Sequence, residues 1–182
     1  LIDGKSIESY DTESLRRRIG LVLQDNVLFN TTIADNVRYG TFDATDDDVI
    51  DAAQRASLQP FIGKLSKGIQ TMVGERGLMV SGGEKQRIAI ARSIIKRPDV
   101  LIFDEATSAL DNESEASIKQ VLDNLKGKVT MLIIAHRLST LVNADRLLVL
   151  DGGKIIEEGV PKILLEDKNS YFYRMYSIDE RE

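Results

Sequence analysis

The sequence contains no cysteine, no tryptophan, three prolines and a single histidine. Without cysteine there is no disulfide, no zinc–thiolate centre and no thiol nucleophile. With His136 as the only histidine, a multi-histidine metal centre is excluded too. No apolar run approaches the roughly 20 residues that cross a bilayer as a helix. The chain starts at Leu1 with no signal-like segment, and reads as a piece cut from something longer. Basic residues are in the minority, 24 Lys and Arg against 29 Asp and Glu, giving a formal net charge of -5. That balance argues against a nucleic-acid surface. The remainder is ordinary for a globular protein, 42% hydrophobic and 29% charged over 182 residues. A chain of this length buries about 70% of its unfolded surface, enough for one core without covalent staples.

Spacing suggests the elements. Asp11 and Thr12 are helix-start residues for Glu13 to Arg18, and Ile19 to Leu23 is a buried-strand pattern ending at Gln24. Thr31 or Thr32 precedes a helical pattern closed by Gly40. Thr45 and Asp48 form an acidic capping box before Val49 and Ile50, and a short helix spans Pro60 to Leu65. Residues from about 31 to 97 are thus expected to be mainly helical. Val100 to Phe103 and Val129 to Ala135 are continuous apolar runs, the pattern of strands buried on both faces. Between them lies a helix from about Glu113 to Lys126, capped by Asp111 and stopped by Gly127. Arg146 to Leu150 and Lys154 to Glu158 flank a tight turn at Asp151-Gly152-Gly153, and Leu164 to Leu165 and Tyr171 to Ile178 read as terminal helices. Alternating strand and helix predicts an α/β fold with a mostly parallel sheet under helical cover.

Two local patterns bear on chemistry. In Val80-Ser81-Gly82-Gly83-Glu84, Ser81 and Glu84 form a capping box, and the helix that follows must stop near Arg97 because Pro98 comes next. A well-capped surface helix accounts for Ser81 and Glu84. It leaves the glycine pair unexplained, since glycine in a helix costs about 1 kcal/mol relative to alanine. Bare amides at a helix N-terminus, with the helix dipole behind them, suit an anion such as phosphate. The second pattern is the strand Val100 to Phe103 running into Asp104-Glu105. Carboxylates there stand at the C-terminal edge of a parallel sheet, where such sheets bind ligands. One can hold Mg²⁺ through water and the next can orient or deprotonate an attacking water. A solvated loop start would have the same sequence.

The order of these signals is more specific than any of them alone. Gln24, Ser81-Gly82-Gly83, Asp104-Glu105, Ser108-Ala109-Leu110-Asp111 and His136 follow one another as the motifs of ATP-binding cassette (ABC) ATPases do. The chain resembles that family from Leu1 to about Ser177. Gln24 matches the Q-loop glutamine. Val80 to Glu84 matches the signature, with Val and Glu where the commonest form has Leu and Gln. Asp104 matches the Walker B aspartate, Glu105 the catalytic glutamate, Ser108 to Asp111 the D-loop and His136 the switch histidine. Thr71 to Gly77, including Glu75, and Asn30 to Gly40 resemble exporters, and with Glu84 they resemble the half-size mitochondrial and heavy-metal-tolerance exporters.

The resemblance implies a P-loop NTPase-like domain with an inserted α-helical subdomain, about residues 25–97, on a catalytic core made of 1–24 and 98–182. It implies ATP and Mg²⁺ as cofactors. Glu105 and His136 would be catalytic, Gln24, Ser81, Gly82, Gly83, Glu84 and Asp111 nucleotide-binding, and Asp104 and Gln24 would address Mg²⁺ through water. The implied partners are a second nucleotide-binding domain, head to tail, and the transmembrane domain of the same transporter; nucleic acid is not among them. The implied location is a membrane of mitochondrial type, reached through an upstream transmembrane domain, with this domain in a reducing soluble compartment.

One family element is absent from these residues, the phosphate loop G-x-x-x-x-G-K-S/T. Gly4-Lys5-Ser6 imitates its tail, but the first glycine would fall before Leu1 and no helical period follows. Lys5 therefore reads as a turn residue. The loop and the early strands would lie upstream, so the fragment is expected to be inactive alone. Their absence would leave the strands Val100 to Phe103 and Val129 to Ala135 with an unpaired neighbour position in the middle of the sheet. An alternative is a non-catalytic regulatory or assembly module that lends its signature surface to a partner's ATP site. A soluble ABC ATPase of DNA repair or translation is disfavoured by the Glu75 segment and the acidic charge.

Overall fold

A computed structural model describes residues 1–75, 79–107, 110–135 and 137–179. The contacts divide the chain into two compact units, Leu1–Ile134 and Ala135–Glu182.

The first unit is built on a parallel sheet in the order β1 (Ile19–Val22), β2 (Val100–Asp104), β3 (Thr130–Ile134). Ile19 lies opposite Val100 and Val22 opposite Phe103, and Asp104 lies opposite Ile134. The helices are α1 (Thr12–Arg17), α2 (Ile33–Arg38), α3 (Asp46–Arg55), α4 (Gln59–Ile62), α5 (Gly82–Ile94) and α6 (Asn112–Leu125). Most begin where the sequence supplies a cap. Asp11 accepts from Ser14 N, Thr32 from Asp35 N, and Thr45 and Asp48 close a capping box. After α5 ends at Ile94, the chain reaches Arg97 in the left-handed region (φ 50°) just before Pro98. At the N-terminus, Ile2 and Lys5 pair across Asp3 and Gly4, both at positive φ. Lys5 is thus the last residue of a tight turn.

The α5 helix is the centre of the unit. It packs against α2, α3, α6 and β1, and buries Ile88, Ile90, Ala91 and Ile94 completely. Leu101, Phe103, Ile118 and Leu125 close the core from β2 and α6. Each such side chain contributes about 1.5–3 kcal/mol through the water it leaves.

Two expectations from the apolar runs need correction. The strands are not buried on both faces: β2 alternates between buried and half-buried residues, and β3 between half-buried and exposed ones. The helices of this unit cover the face of Leu101 and Phe103, while Leu21 on β1 and Leu132 on β3 are about half exposed on the other. Nor does β2 have an unpaired neighbour position: it pairs with β1 on one side and β3 on the other, whereas among the described residues β3 is paired on one side only. β2 and β3 pair directly in parallel, and among the described residues the outer sides of β1 and β3 are the two edges of the sheet.

The second unit contains the antiparallel hairpin β4 (Leu147–Asp151) and β5 (Lys154–Gly159), then α7 (Pro161–Leu164) and α8 (Tyr171–Asp179). Glu157 on β5 reaches the start of α8. Its carboxylate accepts from Tyr171 N at 2.9 Å, Phe172 N at 2.8 Å and Ser170 Oγ at 3.1 Å. A side chain from another element thus caps this helix.

Candidate nucleotide site

The C-terminal edge of the parallel sheet collects three of the expected residues. Gln24 lies two positions beyond β1 and is exposed; Asp104 ends β2 and is half-buried; Glu105 follows it. Because Val22 lies opposite Phe103, the three leave adjacent strands at one edge. Glu105 N donates to Ile134 O at 2.9 Å, so the ladder continues one residue past the strand. The backbone then turns into the left-handed region at Glu105, φ 51°. For a residue with a Cβ that conformation costs about 1–2 kcal/mol, a strain that clusters at functional sites. His136, Ser108 and Ala109 lie outside the described residues, as do Arg76 and Gly77 of the exporter-like segment.

The second cluster is the start of α5. Ser81 N donates to Glu84 Oε2 at 2.7 Å and Glu84 N donates to Ser81 Oγ at 3.3 Å. The first intrahelical bond runs from Lys85 N to Ser81 O. The amides of Gly82 and Gly83 precede it and have no intrahelical acceptor.

The two glycines are needed for different reasons. A Cβ on Gly83 would lie 2.6 Å from Ser114 Cβ, so the close approach of α5 to α6 by itself demands glycine there. A Cβ on Gly82 would meet only Leu110 Cδ2, at an ordinary 3.7 Å. Packing therefore accounts for Gly83, which the sequence had left unexplained, and does not account for Gly82. An exposed glycine with a bare amide at the positive end of a 13-residue helix fits a phosphate oxygen.

Ser114 also engages Asp111, the N-cap of α6. Ser114 N and Ser114 Oγ each donate to one of its carboxylate oxygens at 2.9 Å. These bonds hold the Asp111 carboxyl below the usual carboxylate range. Arg87, one turn along α5, lies among the charges of Glu84, Asp111 and Glu113. Burial pushes its guanidinium pKa down against their attraction, and its Nε is buried without a hydrogen-bond partner.

A third set of contacts ties α5 to the segment after β1. Gln86 is 4% exposed. Its Nε2 donates to Leu23 O at 3.2 Å, and its Oε1 accepts from Asn26 Nδ2 at 2.8 Å. Asn26 Nδ2 also donates to Leu23 O at 2.6 Å. Farther along, Arg92 Nε donates to Asn36 O, Nη2 to Asn36 Oδ1 and Nη1 to Val27 O, at 2.8–3.0 Å. Asn36 is fully buried, and its side chain also donates to Phe29 O and Thr32 O and accepts from Phe29 N. Sequence reasoning missed Gln86, Arg92, Asn26 and Asn36. The available signal was helical spacing: Gln86 stands four residues before Ile90 and eight before Ile94, on the buried face.

Among the described residues no group of three or more His, Asp or Glu side chains could hold a metal ion. Mg²⁺ does not require one. It keeps several waters and takes one or two carboxylates plus substrate phosphates, so Asp104 fits a metal that arrives with a nucleotide.

Comparison with known proteins decides the family. The ABC transporter family model matches residues 1–108, more than half of the chain. The chain belongs to the ABC transporter family. It is 49% identical over 182 residues to the mitochondrial iron–sulfur clusters transporter ATM1 of Saccharomyces cerevisiae, covering 99% of this chain and 26% of that protein. It is 52% identical over 169 residues to heavy metal tolerance factor 1 of Caenorhabditis elegans, covering 93% of this chain and 21% of that protein. A solved bacterial Atm1-family ABC exporter with ATP bound superposes with a TM-score of 0.88 at 44% identity, over 100% of this chain and 32% of that one. This ABC transporter chain thus spans about a quarter of the length of the curated relatives it matches. The α/β fold and the likeness to half-size exporters of the Atm1 and heavy-metal-tolerance type agree with the sequence reading.

Proposed function

We propose that these residues form part of the nucleotide-binding domain of an ABC exporter that couples MgATP hydrolysis to transport across a membrane. The reading rests above all on Gly82, a glycine at a helix N-terminus that packing does not require. It is supported by the carboxylates of Asp104 and Glu105, which leave the C-terminal edge of the parallel sheet. Glu105 holds the attacking water and receives its proton, and His136 contacts the γ-phosphate. Asp104 and Gln24 would hold Mg²⁺, and the ion would supply neutralisation of phosphate charge there. Ser81, Gly82 and Gly83 face the γ-phosphate of a nucleotide held by a second nucleotide-binding domain, head to tail. Glu84 keeps Ser81 in its capping geometry, and Asp111 acts from the start of α6.

In this reading residues of about 25–97 are the helical subdomain, and 1–24 and 98–182 belong to the catalytic core. The partners are that second domain and a transmembrane domain of the same transporter, in a membrane of mitochondrial type, with the nucleotide-binding domain in a reducing compartment. These 182 residues contain no phosphate loop, so alone they do not hydrolyse ATP. The test is Glu105→Gln in the intact transporter, which keeps ATP binding and loses turnover. Unchanged turnover would return Glu105 to a structural loop residue.

A further inference from the structure

Gln24 is the expected Mg²⁺-addressing residue at the sheet edge, yet no described hydrogen bond of its own fixes it. It is exposed, two residues past β1, in a bend. Its neighbours are fixed instead, and both by one side chain. Leu23 O accepts from Gln86 Nε2, and Asn26 Nδ2 donates to Gln86 Oε1. Gln86 therefore clamps the chain on both sides of Gln24, one residue before it and two residues after it. The Asn26 to Leu23 bond closes the loop between these points, so the clamp is a three-cornered network. Gln86 is also rigid. It is buried in the second turn of α5, above Ile90 and Ile94, which are fully buried.

A primary amide has one donor end and one acceptor end, and here the two ends meet one acceptor and one donor. Leucine or methionine would fill the same volume and fix neither point. A buried amide left unpaired costs the helix, so this residue is a poor choice for packing alone.

We propose that Gln86 is a positioning residue for the nucleotide site, setting the place of Gln24 through Leu23 and Asn26. The proposal rests on the reading of Gln24 given above and assigns the side chain that makes that reading mechanically possible. Gln86 lies four residues after Gly82 on α5. The helix start that faces one nucleotide is thus joined, by one turn of helix and two hydrogen bonds, to the residue that addresses the metal of the other.

The experiment is a double-mutant cycle in the intact transporter, reading the Mg²⁺-dependent binding of a fluorescent ATP analogue, alongside ATPase rate, against Mg²⁺ concentration. Gln24→Ala, Gln86→Ala and the double variant are compared with the parent. Outer supports of metal-binding residues typically matter about 10- to 100-fold. Gln86→Ala is therefore expected to raise the half-saturating Mg²⁺ concentration by about 10-fold or more. Mg²⁺-free nucleotide binding stays unchanged. The double variant is expected to equal Gln24→Ala, because Gln86 acts only through Gln24. If the two effects multiply, or if Gln86→Ala shifts the midpoint by less than about twofold while Gln24→Ala shifts it strongly, Gln86 is a packing residue and the proposal is wrong. If Gln24→Ala has no effect, the reading of Gln24 fails first and the positioning role with it. Because Gln86 is buried, Asn26→Ala provides the second route. It breaks the same clamp from a half-buried loop position, and must move the Mg²⁺ midpoint in the same direction.

Discussion

Gly83 and Ser114 meet so closely that no side chain fits between them: a Cβ on Gly83 would stand 2.6 Å from Ser114 Cβ. Their contact joins the N-termini of α5 and α6, and Ser114 in turn holds both oxygens of Asp111. Gly83→Ala should therefore be destabilising by about 1–3 kcal/mol, as overpacking is elsewhere. Thermal denaturation of Gly83→Ala, with and without Ser114→Gly, measures this. Recovery of stability in the double variant is the expected result.

Gly82→Ala should behave in the opposite way. The new methyl group has room, and alanine restricts the unfolded chain, so stability should stay level or rise by about 0.4–1 kcal/mol. In the intact transporter ATP turnover should nevertheless fall. A variant that melts no lower than the parent and hydrolyses poorly would separate the two glycines. Full activity in Gly82→Ala would count against the anion reading of this helix start.

The strained backbone at Glu105 carries its own expectation. Asparagine tolerates the left-handed region better than glutamine, and both lack the carboxylate, so Glu105→Asn should be more stable than Glu105→Gln by up to about 1 kcal/mol. The same change should abolish turnover. Urea denaturation of the two chains decides the first half, and steady-state ATPase of the intact transporter decides the second.

Glu157 predicts an acid-side transition in the second unit. Burial raises its pKa, but the N–H groups of Phe172 and Tyr171 and the Ser170 hydroxyl together bring it below the ordinary value. A depressed folded-state pKa contributes stability above the unfolded value of about 4.3, and that stability disappears as pH falls through the folded pKa. Amide protection at Tyr171 and Phe172 should thus decline between about pH 4 and more acid conditions. In Glu157→Gln it should be weaker at neutral pH and flat across the same range.

Much of this was legible because it is local. The capping boxes at Ser81–Glu84 and Thr45–Asp48 connect residues three apart, and spacing alone specifies them. The same holds for Asp111 as the cap of α6 and for the turn between β4 and β5. What escaped notice lies between residues far apart in sequence: Gln86 with Leu23, Arg92 with Asn36, Gly83 with Ser114. Such pairs depend on how helices pack, and side-chain spacing within one segment does not encode that. The apolar runs of β2 and β3 misled for a related reason. A run shows that both faces of a strand are apolar, and it cannot show whether anything in the same chain covers the second face.

The pairing of β1 with β2 has a consequence for how the protein is made. Arg18 and Asp99, at the start of that pairing, are 81 residues apart. A ribosome adds roughly 5–20 residues per second, so β1 waits about 4–16 s for β2, the strand it pairs with here. During that interval Leu21 and Val22 lack the partners Ile102 and Phe103, while helices α2 and α3 can form from local contacts as soon as they emerge. The nascent chain therefore passes through a stage in which α2 and α3 can be formed while the β1–β2 side of the sheet is still open, and that side closes only once Val100 to Phe103 have been made.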